Sequence, residues 1–90
     1  MKFYLTTDLV KELNSLRVKN PKLFRKIQKQ LKFFRQNHLH PSLRNHKLKG
    51  GLAERWSISI EENLRMLYYL RKDEAIFFDL GTHDEVYRKR

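Results

Sequence analysis

Cysteine is missing from all 90 residues, proline occurs twice and glycine three times. Without thiols the chain has no disulfide framework, and every thiolate-based zinc, iron–sulfur or redox site is excluded. Long apolar runs are lacking too: none approaches the roughly 18 residues of a membrane-spanning helix. The N-terminus is charged and periodic, unlike a secretory leader. No Gly-x-Ser-x-Gly elbow is present, and Lys49-Gly50-Gly51 lacks the spacing of a phosphate-cradling glycine loop. We therefore expect a soluble cytoplasmic protein with no membrane contact and no cofactor.

Acidic residues are the other scarcity, and a local one. Residues 11–49 carry twelve Lys or Arg against one acid, Glu12, whereas residues 50–90 carry seven bases and eight acids. The net charge of +10 is thus the property of one half. A one-sided field of this kind attracts polyanions: nucleic acid, an anionic surface or an acidic protein. The plain alternative is a solvated lysine-rich helix face with no partner. An apolar fraction of 40% and eleven aromatics suffice for one small core, so we expect a single domain over residues 1–90.

Lys2-Phe3-Tyr4-Leu5 reads as a short strand. Thr6, Thr7 or Asp8 then caps a helix over residues 8–18, whose Leu9, Leu13 and Leu16 recur at helical spacing. Asn20-Pro21 restarts the chain as N-cap and first helical residue. From there Leu23, Phe24, Ile27, Leu31 and Phe34 hold one apolar stripe to about residue 36. Lys22, Arg25, Lys26, Lys29, Lys32 and Arg35 occupy the opposite face. The segment from Asn37 to Gly51 breaks the periodicity and reads as a basic loop holding three of the four histidines. Strand patterns follow at 54–60, 64–71 and 75–82, the last apolar on both faces as a central strand would be. The expected architecture is α+β: strand, helix, helix, strand, strand, strand. A helix hairpin packs on one face of a mostly antiparallel sheet. With the Trp56 face under the helices, Ser57, Arg65 and Tyr69 fall on the open face.

His38 and His40 have no neighbouring carboxylate or thiolate, so they make a poor metal site, and no metal is expected. What remains is polar chemistry on a nucleic acid. RNA carries its own nucleophile in the 2′-OH. A protein must take that proton, return one to the leaving 5′ oxygen, and offset charge on the phosphate. Histidine titrates near neutrality, and arginine grips phosphate in two-pronged geometry. His46, Arg65 and His83 supply these groups, and Tyr87 is placed to stack on a base or orient a phosphate. Each has a plainer role open to it: a solvated loop histidine, a surface arginine paired with Glu61 or Asp79, a capping histidine, a tyrosine at the core edge. Trp56 shares a face with Ile58 and Ile60 and reads as core.

These residues carry a resemblance. The opening strand and basic hairpin are followed by His46-Lys47-Leu48-Lys49-Gly50, then Trp56-Ser57-Ile58-Ser59-Ile60. Leu64-Arg65-Met66-Leu67-Tyr68-Tyr69 and the closing Gly81-Thr82-His83-Asp84-Glu85-Val86-Tyr87 complete the pattern. Over essentially its whole length the chain resembles the RelE/YafQ-type toxins of type II toxin–antitoxin systems. The resemblance implies a RelE-like fold and a metal-independent endoribonuclease that cuts mRNA on the ribosome, against its 16S RNA. A cognate acidic antitoxin would silence it, and operator DNA would be bound only through that antitoxin. His46 and His83 match the catalytic histidines of the YafQ branch. Arg65 matches the strand arginine that holds the phosphate, and Tyr87 the C-terminal aromatic. Arg44, Lys47, Lys49, Lys29 and Lys32 are the candidate phosphate contacts. The chain departs from the YafQ branch at Ser59 and Asn63, where that branch carries a histidine and an aspartate. A non-catalytic RNA-, DNA- or antitoxin-binding module of the same fold is the alternative reading.

Overall fold

Thr6 opens the first helix. Its hydroxyl accepts from the Leu9 N–H at 3.3 Å in the computed structural model, which describes residues 1–49 and 54–82. That helix spans Thr7–Lys19 (α1), after a strand at Phe3–Leu5 (β1). Asn20 ends α1, its N–H donating to the Leu16 carbonyl at 2.7 Å. The same residue starts the next helix, its side chain accepting from the Leu23 N–H at 3.2 Å. Pro21 sits where a missing N–H costs nothing, and α2 runs Pro21–Gln36. A 3₁₀ turn at Pro41–Leu43 leads to β2 (His46–Lys47), β3 (Trp56–Glu61), β4 (Leu64–Arg71) and β5 (Glu74–Thr82).

The five strands form one sheet in the order β1-β5-β4-β3-β2. β1 lies parallel to β5, and the other pairs are antiparallel. β5, apolar on both faces, is an interior strand as its sequence demands. The β4–β5 hairpin turns through Lys72 and Asp73, both at positive φ (50° and 65°), the handedness that matches strand twist in a two-residue turn.

Both helices cover one face of the sheet. Leu9 and Leu13 of α1 and Ile27, Leu31 and Phe34 of α2 pack on Ile58, Ile60, Met66, Tyr68, Ala75 and Phe77. Phe34 is at the centre, its ring edge-on to Phe3, Tyr68 and Phe77 at 6.1, 5.2 and 5.1 Å. Each large side chain fully withdrawn from water there contributes about 1.5–3 kcal/mol. The other face has a smaller cluster of Leu48 and Leu67 with Phe78 against it.

Two expectations need correction. The segment from Asn37 is no continuous loop, because it contains the 3₁₀ turn and the edge strand β2, whose His46 and Lys47 pair with Ser57 and Trp56. The face opposite the helices is open only in part. Tyr69 is exposed, but Ser57 and Arg65 are buried, at 0% and 5% exposure, with β2 paired beside Ser57 and the turn before it supplying a carbonyl to Arg65.

Candidate active site around the Arg44 carbonyl

Arg65 stands in the middle of β4, between Ser59 of β3 and Gly81 of β5. Strand alternation puts Met66 into the core and turns Arg65 to the other face beside Ser57. A guanidinium so deeply covered needs fixed acceptors. Its Nε donates to Ser57 Oγ at 2.8 Å, and one terminal nitrogen, Nη2, donates to the Arg44 carbonyl at 2.8 Å. Arg65 is therefore not a surface side chain.

The Arg44 carbonyl is aimed inward by its backbone. Arg44 ends the 3₁₀ turn in the left-handed region, φ 45° and ψ 46°, which turns the chain sharply before β2. A non-glycine residue holds that conformation only where its surroundings impose it. Four ties do so. Leu43 is fully buried. The Asn45 amide donates to the His38 carbonyl at 3.0 Å, and Tyr68 donates its hydroxyl hydrogen to Asn45 Oδ1 at 2.8 Å. Burial raises the Tyr68 hydroxyl above its ordinary pKa. Gln30, from α2, donates to the Ser42 carbonyl at 3.3 Å.

His46 Nδ1 lies 3.0 Å from the Arg44 carbonyl and 3.3 Å from Arg65 Nη2. In the Nδ1–H tautomer the ring donates to the carbonyl, and in the other it accepts from the guanidinium. In the Nδ1–H tautomer the ring lone pair is on Nε2, the form a proton acceptor requires. One carbonyl thus collects a guanidinium and an imidazole.

The remaining candidates divide. Arg44 is exposed at the rim of this site. Lys47 is exposed and bound to Glu54 at 2.8 Å, which holds that carboxyl below its usual range. Lys49 is exposed beyond β2. Lys29 and Lys32 lie on the exposed face of α2, with Lys29 Nζ 5.8 Å above the Phe33 ring. Phe33 in turn stacks on His40 at 4.1 Å, and His40 accepts from the Ser42 N–H at 3.2 Å, so this histidine shapes the turn. His83 and Tyr87 lie outside the described residues, so the structure brings together Arg44, His46 and Arg65 of the expected set. Trp56 stacks on Tyr68 at 6.3 Å and packs against the core as its pattern requires. No group of three or more His, Asp or Glu with metal-binding spacing occurs among the described residues.

Gln30, Asn45 and Tyr68 were not singled out from sequence. Gln30 alone had a signal, as a polar residue inside the stripe Ile27, Leu31, Phe34.

The fold is that of several solved toxins. YafQ from E. coli strain BL21(DE3) matches with a TM-score of 0.72 at 17% identity, over 96% of this chain and 97% of that one. The YoeB–YefM complex from Staphylococcus aureus matches with a TM-score of 0.72 at 20% identity, over 92% and 97%. A metal-bound toxin from Helicobacter pylori matches with a TM-score of 0.71 at 25% identity, over 96% and 98%. No curated protein matches. The family model described as the bacterial toxin of type II toxin–antitoxin systems, YafQ, spans residues 1–88, and the chain belongs to that family.

Proposed function

We propose that this toxin is an endoribonuclease that cuts mRNA on the ribosome by attack of the RNA's own 2′-OH, with no metal ion taking part. In this reading His46 Nε2 accepts the 2′-OH proton while the oxygen bonds to phosphorus. The bond to the 5′ oxygen breaks, and that oxygen takes a proton, leaving a 2′,3′-cyclic phosphate and a 5′-hydroxyl. His83, the second histidine matched by the family pattern, is given the donor's part in this reading, and Tyr87 orients the substrate. Arg65, only 5% exposed, acts from just beneath the surface. Its positive charge in a poorly hydrated setting offsets the charge growing on the phosphate. The observation that carries the reading is the convergence of Arg65 and His46 on the Arg44 carbonyl, 2.8 and 3.0 Å away. Arg44 borders it, Lys47 and Lys49 follow His46 along the chain, and Lys29 and Lys32 extend the cationic surface along α2 for the mRNA and the 16S RNA.

The partner that silences it is an acidic antitoxin. The net charge of +10 suits an acidic chain that orders on contact, and a related fold is solved as a toxin–antitoxin complex. Operator DNA would be reached through that antitoxin. The test is single-turnover cleavage of mRNA in stalled ribosomes. His46→Ala and Arg65→Ala should each slow cleavage by about 10²–10³ while circular dichroism stays native. Cleavage at wild-type rate by both variants would overturn the site assignment. Ribosome binding without any cleavage by the wild type would favour the non-catalytic module.

A further inference from the structure

The buried stripe of α2 contains one polar residue. Ile27, Leu31 and Phe34 are 1%, 9% and 0% exposed, and Gln30 among them is 7% exposed. A leucine would fit that stripe with no polar group to satisfy. The glutamine makes two bonds that an apolar residue cannot. Its Nε2 donates to the Ser59 carbonyl at 2.8 Å and to the Ser42 carbonyl at 3.3 Å.

Both acceptors adjoin the site. Ser59 is the residue of β3 directly paired with Arg65, at the point where the β3–β4 register shifts. Ser42 lies in the 3₁₀ turn that ends at Arg44, the residue whose carbonyl receives Arg65 and His46. The two amide hydrogens of Gln30 therefore hold the strand that positions the guanidinium and the turn that positions its acceptor. A primary amide alone among side chains of this length offers two diverging hydrogens on one planar nitrogen. Glutamate would set oxygens against both carbonyls, and asparagine is one methylene short.

We propose that Gln30 is a positioning residue: through Ser42 and Ser59 it sets the distance between Arg65 and the Arg44 carbonyl and so holds His46 in its Nδ1–H tautomer. Its catalytic consequence rests on the ribonuclease reading; its structural consequence does not. Misplacing a reacting group by about an ångström costs on the order of a hundredfold in rate. The loop keeps its other ties, Leu43, Asn45 and Tyr68, when Gln30 is replaced.

The experiment compares Gln30→Met, which keeps the length and removes both donors, with Gln28→Met, the same change at an exposed site on the same helix. Nitrogen-15 NMR of the His46 ring should show Nδ1–H in the wild type and in Gln28→Met. In Gln30→Met it should show mixed tautomers, with Arg65 Nε–H exchanging at least tenfold faster. Single-turnover cleavage in Gln30→Met should fall about tenfold to a hundredfold, with affinity for the ribosome unchanged. His46 and Arg65 signals in Gln30→Met that match the wild type overturn the proposal, whether or not the wild type cuts RNA. A wild type that cuts nothing, with the NMR changes present, removes the ribonuclease reading and leaves the clasp. If Gln30→Met does not fold, hydrogen exchange of the wild-type Gln30 amide decides. Both hydrogens protected well beyond the exposed Gln28 amide support the clasp, and exchange as fast as at Gln28 overturns it.

Discussion

Arg65 shows how the fold meets the cost of burying a charge. The charge is covered to 5% exposure, and the fold meets that cost with Ser57 and the Arg44 carbonyl. The same carbonyl lies 3.0 Å from His46 Nδ1, so one backbone oxygen meets two side chains. Tyr68 supports it from the core side through Asn45. Tyr68→Phe should lower stability at neutral pH by about 1 kcal/mol, the usual worth of such a bond. It should also change the alkaline limb. The folded-state pKa of Tyr68 is raised above 10.0, since the core disfavours phenolate. Wild-type stability is therefore intact below about pH 10 and falls as the pH climbs through the folded value. The gap between wild type and variant in denaturant melts should hold up to about pH 10 and narrow above it. A constant gap would mean the hydroxyl is not held neutral by the fold.

Among the elements, the two helices are set by local signals. Asn20 closes one and opens the next, and the apolar stripes face the sheet. The β4–β5 turn is less well served by its residues. Lys72 and Asp73 both occupy left-handed backbone, which aspartate tolerates but which costs a side chain such as lysine about 1–2 kcal/mol. Replacing Lys72 with Asn and Asp73 with Gly should gain about 1 kcal/mol, or roughly 4–8 °C in Tm by calorimetry. An unchanged or lower Tm would show that the turn is not strained. The turn is on exposed residues remote in sequence from Arg44 and His46, so cleavage should not change. β2 has the opposite origin. Two residues, His46 and Lys47, carry no alternation to read, and they form a strand because β3 offers them an edge.

At the level of the molecule the decisive quantity is where the charge sits. The bases of residues 11–49 include the exposed face of α2, on the same helix whose buried side grips the site through Gln30. The Lys29→Glu, Lys32→Glu pair should weaken ribosome or RNA binding and reduce the magnitude of the salt slope by about one per lost phosphate contact. The cleavage step at saturating ribosomes should keep its rate. Filter binding across a salt series measures the first and single-turnover kinetics the second. An unchanged slope would mean that the basic face serves the antitoxin and not the RNA.

Sequence by itself determined the helices, their caps, the order and faces of the long strands and the asymmetry of charge. Those signals lie within a few residues of one another: helical spacing, alternation, a capping side chain. It also brought forward His46 and Arg65 by chemical type, with His83 and Tyr87 lying beyond the described residues. Only the tertiary structure decided that β2 exists, that Arg65 is buried, that the Arg44 carbonyl gathers the site and that Gln30 holds two segments together. A backbone oxygen has no sequence identity, and what it accepts depends on residues brought to it from elsewhere in the chain. The long-range pairing of β3 with β4, and the packing of α2 over it, put those donors within reach.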